Sequence, residues 1–144
     1  MSENDTVSLL RECNSGTQMA VYSIDEILEN IKNEKFREIL ISSKDAHERL
    51  GSEIHLLSQK YGDTTKEPTA FAKGMSWLKT NARLALEDSD RVCADLITDG
   101  CNMGIKTLCR FQNEYAAADE QAQALCRELI RIEENLLNDA RPFL

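Results

Sequence analysis

At 144 residues the chain has the size of one domain and is long enough to bury a core unaided. Hydrophobic residues make up 42 % and charged ones 29 %, which excludes a disordered chain, and two prolines with six glycines are too few for many short strands and turns. The 25 acidic against 17 basic residues leave a formal charge of −8, which repels phosphate backbones and anionic lipid, so neither nucleic acid nor membrane is expected as a partner.

A first helix is predicted over about 5–30. Leu10, Cys13, Thr17, Ala20, Ile24, Ile27 and Ile31 recur at steps of three and four, which puts them on one face. Asn33-Glu34 can turn the chain. A second helix follows over about 34–61, its face carrying Phe36, Leu40, Ser43, His47, Leu50, Ile54 and Leu57, and Gly62 is suited to end it. Pro68 fits a first helical turn, and Phe71, Met75, Leu78, Ala82 and Leu86 then recur at helical spacing beside Trp77, predicting a short helix over 67–87. Glu87-Asp88-Ser89-Asp90 reads as a break and cap. The third long helix runs to about 113 with Cys93, Ile97, Cys101, Gly104, Leu108 and Phe111 inward. The fourth covers about 117–140 through Ala122, Leu125, Leu129, Ile132 and Leu136, and Arg141-Pro142 closes it.

The pattern predicts an all-α fold, one domain over 1–144 built from a hairpin at 5–61, a crossover helix at 67–87 and a hairpin at 90–140. A helix of twenty residues covers roughly 30 Å, the length of such a bundle. The 67–87 segment can therefore cross between helices 2 and 3 as in a ferritin-like antiparallel four-helix bundle. The competing layout is an up-down bundle with this segment folded against one end. A faint repeat supports two related hairpins. Cys13-Asn14-Ser15-Gly16 returns as Cys101-Asn102-Met103-Gly104, and Phe36-Arg37-Glu38-Ile39-Leu40 as Cys126-Arg127-Glu128-Leu129-Ile130.

A ferritin-like bundle invites a test for a carboxylate-bridged di-metal site, which needs inward Glu residues on two helices and Glu-x-x-His on the other two. Lys44 stands three before His47, Ser52 three before His55, and helix 4 has no histidine. The motif is absent, so no metal, cofactor or catalytic residue is assigned. The inward faces carry a short polar list, Thr17, Ser43, His47 and Glu133. A buried His47–Glu133 contact is expected, with Thr17 or Ser43 nearby. One reading of it is a hydrogen-bonded pair that fixes helix register, the other a degenerate ligand site. His55 is rotated toward the surface. Cys13, Cys93 and Cys101 lie on core faces, where a thiol acts as a small hydrophobe. No Cys-x-x-Cys pair, phosphate loop or nucleophile elbow occurs.

Met1-Ser2-Glu3-Asn4-Asp5 lacks the basic and apolar regions of a secretory signal, and no stretch approaches the ~18 apolar residues of a membrane span. Five cysteines, an odd number without short spacing, fit reduced thiols in a cytoplasm. A cytoplasmic location is expected.

Leu9-Leu10 with Cys13 and Gly16, Trp77-Leu78-Lys79 and the Cys-x-x-Gly return at Cys101 resemble an uncharacterised bacterial family of ferritin-like four-helix bundles, distantly related to rubrerythrins. The family's crossover carries a His-Arg pair shortly before the Trp, where this chain has Lys73-Gly74-Met75-Ser76. The resemblance implies the fold and brings no reaction, since fold alone does not give function. The function expected is a non-catalytic bundle working through a protein partner or self-association, as a homodimer by default, in a stress setting that the resemblance suggests. The alternative is a metal-binding or redox protein with a degenerate site.

Overall fold

The computed structural model describes residues 2–62 and 90–144. These residues hold four long helices and no strand: α1 Glu3–Leu28, α2 Glu34–Lys60, α3 Asp90–Glu114 and α4 Glu120–Ala140, followed by a 3-10 turn at Arg141–Phe143. The expected crossover helix at 67–87, with Trp77, lies outside the described residues.

Local chemistry sets the helix ends. Ser2 caps α1 by accepting the Asp5 N–H at 3.2 Å, so the helix starts at Glu3, two residues earlier than the apolar pattern announces. Arg37 donates to the Leu28 and Ile31 carbonyls, satisfying acceptors left over where α1 stops. Asn33 caps α2 by accepting the Phe36 N–H at 3.0 Å. Gly62 follows α2 with φ +69°, the left-handed conformation that glycine adopts without steric cost.

Helix α3 starts at Asp90, where the second hairpin is expected to begin, and the Asp90 carboxylate accepts the Lys32 N–H at 2.9 Å and the Asn33 N–H at 2.7 Å. One further boundary differs from the sequence expectation. Helix α4 begins at Glu120 rather than Ala117. Alanine favours helix, but the 115–119 segment is held by α1. Ala117 accepts from the Ser2 N–H and donates to Asp5, while the Asp119 N–H donates to the Thr6 hydroxyl at 2.7 Å.

The core is apolar where the periodicity places it, with Leu9, Leu10, Ile24, Ile27, Phe36, Leu40, Ile54, Leu108 and Leu129 fully buried. Helix α1 packs most extensively on α2, and α3 on α4; α4 also lies along α2 and touches α1, whereas α2 and α3 barely meet. One end of the molecule gathers Ser2, Tyr61 and Ala117–Asp119, with the Tyr61 hydroxyl donating to Asp119 at 3.0 Å. The other gathers Lys32, Asn33 and Asp90, and there Phe143 stacks on Phe36 at 4.6 Å between ring centroids.

Candidate functional site

His47 sits mid-way along α2, on the stripe of Leu40, Leu50 and Ile54, and is 0 % exposed. Glu133 occupies the matching stripe of α4 between Leu129 and Leu136 and is 6 % exposed. Their side chains meet: His47 Nε2 lies 2.9 Å from Glu133 Oε1. The other ring nitrogen, Nδ1, lies 2.7 Å from the Ser43 carbonyl oxygen, one turn back on α2. A carbonyl oxygen can only accept, so Nδ1 carries hydrogen. One further proton then sits between Nε2 and the carboxyl group. Whether written as imidazolium with carboxylate or as imidazole with carboxylic acid, the pair has no net charge, which makes its burial tolerable.

Burial favours the neutral imidazole, but the hydrogen bond and charge of Glu133, with the Ser43 carbonyl, outweigh it and hold the His47 pKa above its usual 6.5. Glu133 is also approached from α3 by the Cys101 thiol; burial first, then the charge and hydrogen bonding of Glu133, push the Cys101 pKa far above the usual thiol range. The network thus ties Ser43 and His47 of α2, Glu133 of α4 and Cys101 of α3. A cavity of about 20 Å³, lined by Ser23, Gly100, Cys101 and Glu133 among others, lies beside it, with room for about one water molecule.

The other two residues of the expected cluster take different parts. Ser43 is only partly buried, and its contribution is the main-chain carbonyl, its hydroxyl being 3.4 Å from Nδ1. Thr17 is buried but donates to the Asn14 carbonyl at 2.8 Å rather than joining the pair. It packs instead under Gly51, where an added Cβ would come within 3.1 Å of its oxygen; this is where α1 and α2 approach closely. Thr17 and His47 both line an open groove of about 720 Å³ between these helices, together with Gln18, Tyr22, Gly51 and His55. With both ring nitrogens engaged inward, His47 offers that groove no donor or acceptor. His55 is exposed, with Gln59 for a neighbour at 3.3 Å.

Four buried polar residues escaped the sequence reading: Thr6, Glu12, Ser23 and Thr98. Three are hydroxyls bonded to helix carbonyls, Thr6 to Ser2, Ser23 to Met19 and Thr98 to Ala94, a local habit that no apolar pattern signals. The spacing places Cys101 among the core hydrophobes; only its height opposite Glu133 distinguishes it. A second thiol contact joins α1 to α4: Cys13 lies against Cys126, which donates to the Leu108 carbonyl at 3.8 Å. The bond to Cys126 and burial raise the Cys13 pKa well above the ordinary thiol value.

A di-metal centre of the kind ferritin-like folds hold does not fit these residues. His47 has no free nitrogen, and Glu133 is shared between an imidazole and a thiol. Among the described residues no group of three or more His, Cys, Asp or Glu could hold a metal ion, and no helix is long and apolar enough to cross a membrane. Compared with family models, curated proteins and solved structures, the chain finds no match.

Proposed function

We propose that this protein is a non-catalytic, cytoplasmic helical bundle that works through protein surfaces, foremost those of its own copies. The observation that carries the reading is the closed His47–Glu133 network. This buried ionisable pair directs its hydrogen-bonding groups along α2 and across to α4 and none toward a groove, which is how a register-fixing pair behaves and a ligand site does not.

The same proposal includes a ferritin-like antiparallel arrangement. In support, Ser2 and Tyr61 meet Ala117–Asp119 at one end while Asn33 meets Asp90 at the other. Those contacts fit α1 and α4 running one way and α2 and α3 the other, with residues 62 and 90 at opposite ends, the connectivity of a bundle with one long crossover. Burial of Cys13, Gly16, Cys101 and Gly104 at related places in α1 and α3 supports kinship with the uncharacterised bacterial family.

Metal analysis of protein purified without an affinity tag, paired with sedimentation at increasing concentration, tests the function. Metal well below one ion per chain and a mass that rises with concentration are expected. Stoichiometric iron, manganese or zinc would overturn the proposal.

A further inference from the structure

Leu56 is 64 % exposed, more than the other exposed large hydrophobic residues Tyr22, Ile41 and Leu144. It stands on a ridge of α2 between two grooves. The one on the α4 side, about 690 Å³, has Leu57, Ala124 and Leu125 along its middle. Its ends differ in charge. Glu53 and Glu128 stand at one end, and Lys60 with Gln121 at the other, where Tyr61 reaches Asp119. Arg131 pairs with Glu128, so Glu53 and Lys60 dominate the two ends.

From this geometry we infer that two copies of the chain pair across a two-fold axis over this groove, each Leu56 entering the other copy's groove. The inference rests on the self-association reading above. A closed pair of identical chains presents the same surface twice, so the patch must complement itself. An axis crossing α2 between Leu56 and Leu57 leaves Glu53 and Lys60 equally far on either side. It therefore sets Glu53 of each copy against Lys60 of the other, and Leu56 against Leu57. A parallel approach would bring like charges together. The stretch from Glu53 to Lys60 covers only about 10 Å of helix, so the contact is small beside the ~800 Å² per partner of a standard interface and the dimer is weak.

Sedimentation velocity over roughly 5 to 500 µM protein, the range where a weak dimer changes population, reads the dissociation constant. Leu56→Glu is expected to raise that constant at least about tenfold, because it sets a charge in the apolar centre. Glu53→Lys and Lys60→Glu each weaken pairing several-fold, by opposing like charges twice per dimer. The double variant recovers it, and a mixture of the two single variants forms a heterodimer tighter than either homodimer. All three positions are exposed, and circular dichroism checks that the fold is kept. A dimer indifferent to Leu56→Glu overturns this surface while leaving self-association standing. A dimer weakened by Leu56→Glu without preference in the mixture overturns the two-fold register. A wild type that stays monomeric throughout overturns the self-association reading, and this one with it.

Discussion

Replacing His47 by leucine tests the central pair most directly. The variant fills similar volume but removes both hydrogen bonds of the ring, at 2.7 and 2.9 Å. Glu133, 6 % exposed, is then left with the Cys101 thiol as its remaining partner. Removing one member of a buried pair costs about 3–5 kcal/mol. The stranded carboxyl group can relieve part of that by taking a proton, so about 3 kcal/mol is expected at pH 7. Replacing both, as His47→Leu with Glu133→Leu, leaves no stranded charge and should return stability to within about 1 kcal/mol of the wild type. Urea unfolding followed by far-UV circular dichroism measures all the variants at equal slope. The reasoning is refuted if His47→Leu costs less than about 1 kcal/mol, or if the double variant costs the sum of the singles. The pH dependence adds a second check. Folded His47 holds its proton more tightly than the unfolded chain does, so its stabilisation is complete below the unfolded value near 6.5 and declines as pH rises through the raised folded value. Stability of the wild type should fall along that rise; the double variant should lack this component.

Three further outcomes follow from contacts already described. Of the five cysteines only Cys109 is exposed, so a thiol reagent should modify one group quickly in the native protein and all five in denaturant; fast labelling of a second thiol would contradict the burial of Cys13 and Cys101. Asp90→Ala removes the acceptor for two backbone N–H groups and should cost about 1–2 kcal/mol in urea unfolding, with Asp90→Asn recovering part of it. Ser43→Ala keeps the carbonyl that His47 uses and should change stability by less than about 0.5 kcal/mol, whereas a larger loss would mean that the hydroxyl is the true partner.

The helices were legible because each buries one stripe, and three-four spacing of Leu and Ile is a direct consequence of that geometry. His47 and Glu133 were legible for a complementary reason: each is a polar residue inside an otherwise apolar stripe, and such a residue needs a partner. What sequence does not encode is height along neighbouring helices, which alone brings Cys101 to Glu133 and Cys13 to Cys126. Backbone groups are equally silent. The partner of His47 Nδ1 is a carbonyl that any residue at position 43 would supply. The start of α4 was misplaced because the alanine-rich 116–118 run favours helix, and contacts with Ser2, Asp5 and Thr6 override that preference. The partners of Asp90 are equally outside the spacing: its carboxylate serves the turn before α2, 57 and 58 residues back along the chain.

The partner of His47 is 86 residues further along the chain. At a synthesis rate of about 5–20 residues per second, roughly 4–17 s separate the emergence of the two residues from the ribosome. Through that interval the face of α2 that carries Leu40, His47 and Ile54 has no α4 to lie against. The newly made first hairpin therefore leaves an apolar strip uncovered, with the Nε2 of His47 at its centre lacking its folded partner, until the last helix is released.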